Sequence, residues 1–150
     1  MIVSCKIHEA KHLTEIALKS KAFWGYSNVL IESWRSDLTV TEKAIANAFI
    51  YKFMIDKKVA GFYFLNPPKT KNIELEMLFV APRYIGKGIG KQLLHHAFKK
   101  AKQSHATFMT LLADPNAVPF YQSQGFKIID KKESAIVGRF LPVMEKDLRQ

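Results

Sequence analysis

The stretch Val80-Ala-Pro-Arg-Tyr-Ile-Gly-Lys-Gly-Ile-Gly90 ends an apolar run at a proline, then sets three glycines at alternate positions ahead of a lysine-bearing helix. Gly86, Gly88 and Gly90 remove Cβ atoms from the turn and let backbone N–H groups converge. The helix behind them adds the positive end of its dipole. A turn of this kind, Ile85 to Lys91, is a cradle for phosphate oxygens, with Lys87 and Lys91 adding charge. The competing reading is an ordinary strand-to-helix turn. A dinucleotide-binding βαβ unit is a poorer match, because it needs Gly-x-Gly-x-x-Gly and this chain has Gly-x-Gly-x-Gly.

Outward from the turn, Ile73 to Val80 reads as a long apolar strand. Gly88 to about Ser104 reads as a helix, with Ile89, Leu93, Ala97 and Ala101 on one stripe and Leu94 and Phe98 widening it. Upstream, residues 2–7 alternate as a first strand, and Glu9 to about Phe23 has helical spacing through Leu13, Ile16, Ala17 and Ser20. Gly25 interrupts it. Asn28 to Trp34 suggests a short helix, and Thr41 is placed to cap another. The runs 48–55 and 59–65 form a hairpin through Asp56-Lys-Lys. Downstream, Thr107 to Ala113 is a strand, Asn116 to Gln124 a short helix, and Lys127–Asp130 and Ile136–Met144 the last two strands. The order β, helices, three β, α, β, α, two β predicts an α/β (α+β) fold, a mixed sheet of about seven strands flanked by helices.

At 150 residues, with 48% hydrophobic and 24% charged content, the chain fits one ordinary globular domain. No apolar stretch approaches the roughly 20 residues a membrane helix requires. The opening Met-Ile-Val-Ser-Cys-Lys lacks the layout of a signal peptide. Cys5 is the only cysteine, so no intrachain disulfide is possible, a reducing cytoplasm is expected, and the thiol is read as structural. The net charge of +10 invites a nucleic-acid reading. The lysines are dispersed, however: Lys99, Lys100 and Lys102 mark a solvated helix face, and Lys131-Lys132 flank a strand. Solubilising charge and attraction for an anionic cofactor fit that dispersal better. His95 and His96 are adjacent and point in different directions, so they read as surface residues and no metal site is expected.

The element order and the glycine turn together resemble the GNAT superfamily of N-acetyltransferases, whose sheet is mostly antiparallel. Three segments carry the resemblance, which spans most of the chain. Leu78-Phe-Val-Ala-Pro82 is similar to the strand whose backbone pairs with the pantetheine arm of acetyl-CoA, which implies roles for Leu78, Phe79 and Val80. Gly86-Lys-Gly-Ile-Gly90 resembles the pyrophosphate-binding turn. Asp114-Pro-Asn-Ala-Val-Pro-Phe-Tyr121, then Gln-Ser-Gln-Gly-Phe126, resembles the later helix beside the cofactor, with Asn116 and Phe120 near it. One position departs from the pattern: the family usually places Arg or Gln directly before the first glycine, and Ile85 stands there. The turn must then hold phosphate mainly through main-chain N–H groups, with Lys87, Lys91 or Arg83 supplying charge.

The resemblance implies direct transfer of acetyl from acetyl-CoA to an amine in a ternary complex, without a metal. Such a reaction needs a proton acceptor for the amine and a proton for the departing thiolate. By resemblance Tyr121 is the candidate acid; packing beside Phe120 is its alternative. Glu74 and Glu76 share one strand face with Leu78 and Val80, and Glu76 is preferred as base, directly or through water. Asn116 either bonds the pantetheine arm or caps its helix. Trp24, Tyr26 and Trp34 could wall an acceptor pocket or pack as core. Ser134 and Arg139 are further pocket candidates, Arg139 suiting a substrate carboxylate. The acceptor stays open between a small molecule and a peptide, and the last strand could pair across a homodimer. A non-catalytic CoA-binding sensor or partner subunit, and a basic nucleic-acid-binding domain, are the rival readings.

Overall fold

Seven strands follow the order β1-β2-β3-β4-β5-β7-β6 in the sheet. They are β1 (Ile2–Ser4), β2 (Phe49–Ile55), β3 (Lys58–Leu65), β4 (Asn72–Val80), β5 (Phe108–Leu112), β6 (Lys127–Glu133) and β7 (Phe140–Asp147). The helices are α1 (Ala10–Ala22), α2 (Asn28–Ser33), α3 (Arg35–Leu38), α4 (Glu42–Asn47), α5 (Ile89–Gln103) and α6 (Val118–Ser123). This computed structural model describes residues 1–134 and 138–149. Cα proximity groups the chain into two compact units, Met1–Leu65 with Met77–Ala97 and Asn66–Glu76 with Phe98–Gln150; β4 contributes residues to each.

In the first unit the hairpin β2–β3 is antiparallel, closing from Ile55↔Lys58. Asp56 and Lys57 both have positive φ, 48° and 64°, the backbone of a two-residue turn whose twist matches that of the strands it joins. β1 adds antiparallel to β2. It stops at Ser4, short of the expected residue 7, because a 3₁₀ turn over Ile7–Glu9 leads into α1. The predicted α1 stripe of Leu13, Ile16, Ala17 and Ser20 is buried. Ser27 caps α2 and Thr41 caps α4, each side-chain oxygen accepting an N–H three residues on. α3 was not expected: Trp34, at φ −97° and ψ 3°, lets the chain re-enter a helical turn directly after α2. Thr14, buried in α1, accepts the Val40 N–H at 2.9 Å and so pins the segment after α3.

In the second unit β4 and β5 run parallel through Asn72↔Phe108, Ile73↔Met109 and Glu74↔Thr110. β5 and β6 both pair antiparallel with β7. Two sequence expectations are corrected here. β6 extends to Glu133, so Lys131 and Lys132 lie inside a strand, paired with Pro142 and Leu141. The last strand runs Phe140–Asp147, because the chain turns at Gly138 inside the expected span; its expected start, residues 136 and 137, lies outside the described residues. β7 is bonded on both sides, so the edge strand on that side is β6 and the basis for pairing β7 across a dimer is removed. Every residue of β6 is exposed and five of its seven are charged, the composition that keeps a free edge from templating another strand.

Candidate functional site

The glycine turn begins where β4 ends. Ala81 N–H donates to Ala60 C=O at 2.8 Å, fixing the strand end against β3. Pro82–Tyr84 form one 3₁₀ turn, and the Ile85 N–H closes it by donating to Pro82 C=O at 3.3 Å. Ile85, expected to keep its N–H for phosphate, thus directs that group into its own turn, and its side chain is exposed. Gly86 and Gly88 then adopt φ of +87° and +76°, the left-handed region that glycine enters without steric cost. A Cβ at either position would meet nothing within 4 Å, so the requirement for glycine is conformational. Ile89 is buried and starts α5, whose first internal bond is Gln92 N–H to Gly88 C=O at 3.2 Å. The N–H groups of Ile89, Gly90 and Lys91 consequently have no acceptor inside the helix. Lys87 and Lys91 are exposed beside them.

β4 is held close to β3 by a residue the sequence reading passed over. A Cβ on Gly61 would lie 2.7 Å from the Phe79 carbonyl oxygen and 3.2 Å from Leu93 Cδ1. A lone glycine inside an otherwise aromatic and β-branched strand is the available signal for such an approach. Phe79 packs against Phe62, with centroids 6.1 Å apart, and Leu78, Phe79 and Val80 are half-buried.

On β4, Ile73 and Leu75 are buried while Glu74 is half-buried and Glu76 exposed, the predicted alternation. Asn66 joins the two carboxylates: its Nδ2 donates to Glu74 Oε1 at 2.9 Å and to Glu76 Oε2 at 3.1 Å. The Asn66 N–H also donates to Glu74 C=O at 2.9 Å. One amide thus supplies two donors to two like charges, and both carboxylates are held as acceptors. In the sequence Asn66 reads only as a strand breaker before two prolines.

Tyr121 sits in α6, 8% exposed, with Phe120 and Phe126 edge-on at 5.2 and 5.5 Å. Burial, reinforced by the nearby Asp114 charge, pushes the phenol well above its ordinary value, so it keeps its proton at neutral pH. Asn116 is exposed, and the capping oxygen before it is Asp114 Oδ1, which accepts the Asn116 N–H at 2.9 Å. The capping role proposed for Asn116 therefore passes to Asp114. Arg139 points its guanidinium toward Asp114, 4.0 Å away. The Ser134 N–H donates to Arg139 C=O at 2.8 Å.

The early aromatics divide. Trp34 is buried and meets Tyr26 edge-on at 5.0 Å, with Lys21 Nζ 5.4 and 5.6 Å from the two rings. Trp24 is exposed beside Phe23. His95 is exposed as expected. His96 is not a surface residue: its Nδ1 lies 2.7 Å from the Oη of fully buried Tyr63, and its ring packs at 4.8 Å from Tyr51.

A family model described as an acetyltransferase (GNAT) domain matches residues 10–148. The chain is 31% identical over 133 residues to the peptidyl-lysine N-acetyltransferase YiaC of Escherichia coli, covering 87% of this chain and 85% of that protein. It is 28% identical over 129 residues to the peptidyl-lysine N-acetyltransferase YjaB of Salmonella typhimurium, covering 77% and 86%. Among solved structures, the PaiA N-acetyltransferase of Thermoplasma acidophilum in complex with coenzyme A superposes with a TM-score of 0.84 at 27% identity, over 98% of each chain.

Proposed function

The chain belongs to the GNAT acetyltransferase family and transfers acetyl from acetyl-CoA to an amine, and from that premise we propose that its acceptor is the side-chain amine of a lysine in a polypeptide. The observation that carries this reading is the likeness to two peptidyl-lysine N-acetyltransferases, one above 30% identity, over most of both chains. The residues present suit the donor. Gly86 to Lys91 would hold the diphosphate through main-chain N–H groups and the positive end of α5. The backbone of Leu78 to Val80 would pair with the amide-bearing arm as it would with another strand.

Glu76 takes the proton that the lysine amine loses as its nitrogen bonds to the acetyl carbon, directly or through water. Asn66 holds that carboxylate in place and keeps Glu74 from turning on it. Tyr121, protonated at neutral pH, supplies the proton needed by the thiolate released when the C–S bond breaks. Transfer is direct, without an acyl-enzyme; the half-buried Cys5 thiol, pushed up to about 12 by burial and then by the neighbouring Glu9 charge, is a poor nucleophile at neutral pH.

The test uses two matched peptides with acetyl-CoA. One carries a lysine and a blocked N-terminus; the other has a free N-terminus and norleucine in place of lysine. Thiol release and a single 42-dalton addition on the lysine of the first peptide alone are expected. Turnover confined to the second peptide, or to small amines, overturns the lysine assignment.

A further inference from the structure

A groove of about 670 Å³ lies wholly within the first unit, between α1, the tip of the β2–β3 hairpin and the Pro82–Tyr84 turn. Its size is that of a small-molecule site. Met54, Val59 and Pro82 give it apolar wall, while Lys19, Lys52, Lys57, Lys58 and Arg83 bring five cationic side chains to its lining. The one carboxylate in the lining, Glu9, is committed. Its Oε2 meets Lys52 Nζ at 2.6 Å and its Oε1 accepts the Lys6 N–H at 2.9 Å. Glu9 and Lys52 therefore neutralise each other, and Lys19, Lys57, Lys58 and Arg83 leave the groove with uncompensated positive charge.

The arrangement is built in. Lys57 is carried at the hairpin tip with φ of 64°, a backbone state for which glycine or asparagine is the easier choice. Lys58 follows at the start of β3, Lys52 and Met54 alternate on β2, and Glu9, His12 and Lys19 follow one another along one side of α1 and its entry turn. A concave surface lined by one sign of charge focuses potential and concentrates counter-ions far more than the same lysines would on a flat face.

We propose that this groove, whose lining reaches Arg83 and includes none of Gly86 to Lys91, is a second anion site for a small multiply charged anion, either an oligophosphate or a polycarboxylate. The volume favours a small ligand over a strand of nucleic acid or a long acidic segment. The site does not depend on the identity of the amine acceptor.

The test is carried out on protein saturated with CoA, so that the glycine turn is filled, by following backbone amide shifts at low salt. Inorganic tripolyphosphate and citrate are titrated separately, and an octamer of glutamate in a third arm. Expected are saturable shifts centred on Lys57–Val59 and Arg83, and affinity about tenfold weaker in the triple variant Lys19→Gln, Lys57→Gln, Lys58→Gln. CoA affinity is unchanged by these substitutions. Binding of tripolyphosphate alone identifies the ligand as a phosphate ester or oligophosphate; comparable binding of citrate identifies a polyanion recognised by charge. Absence of shifts with both, equal affinity in the triple variant, or tighter binding of the glutamate octamer overturns the proposal.

Discussion

Single residues decide the chemistry, and they differ in how far the sequence reveals them. Tyr121 is legible because the segment around it matches a motif, yet its two readings, acid or core, are not exclusive. The aromatic neighbours that bury the ring also hold its proton. Removing only the hydroxyl separates them. Tyr121→Phe keeps the packing and is expected to lower kcat about 10²-fold, the lower end of what a positioned acid contributes, while the KM for acetyl-CoA changes little. An unaltered kcat returns Tyr121 to packing. Asn66 is the opposite case: nothing in Asn66-Pro-Pro announces that the amide folds back onto Glu74 and Glu76, because that contact depends on where the loop returns and not on local pattern. The Ile85 N–H belongs with Asn66, since only the 3₁₀ turn over Pro82–Tyr84 shows where it goes.

At the scale of elements, periodicity carried most of the fold. The alternation in β4, the buried stripe of α5 and the caps at Thr41 and the hairpin turn are local signals, and each element forms where its pattern puts it. The misses fall where tertiary context overrides pattern. α3 follows α2 through Trp34 without a breaker, and the chain turns at Gly138 before β7 starts at Phe140. Gly61 shows how an element is placed by what it lacks. Because its absent Cβ leaves room for the Phe79 carbonyl, β3 lets the end of β4 that we propose pairs with the donor come close. Gly61→Ala forces backbone to move, an overpacking cost of about 1–3 kcal/mol. The expected outcome is a lower urea midpoint at constant m-value, together with a raised KM for acetyl-CoA because Phe79 and Val80 shift. A stable variant with normal KM would show that the approach of β3 to β4 has no bearing on the site.

For the molecule as a whole, protonated groups held out of water, the half-buried Cys5 and the buried Tyr63 and Tyr121, set a limit on the alkaline side. Cys5 is raised from 9.0 to about 12 by burial and by Glu9. Tyr63 is raised by burial, with Tyr51 and Cys5 nearby, and Tyr121 by burial with Asp114. In each case the folded state holds a proton that the unfolded chain releases at lower pH. The stability these groups contribute is therefore fully present below the unfolded values and is lost as pH rises toward the folded ones. The first loss comes from Cys5 above pH 9 and steepens once the tyrosines join above their ordinary value of 10.0. Each group acting in full removes about 1.4 kcal/mol per pH unit, an upper bound where solvent reaches the side chain. Urea unfolding followed by the fluorescence of Trp24 and Trp34 should give the same stability at pH 7 and 8, then a fall between pH 9 and 10 that becomes steeper above 10. Cys5→Ser, whose hydroxyl does not titrate in this range, should abolish the fall between 9 and 10 and leave the later one. A stability flat through pH 10.5 in the parent chain, or an early fall unchanged in Cys5→Ser, would mean that these groups release their protons as readily folded as unfolded.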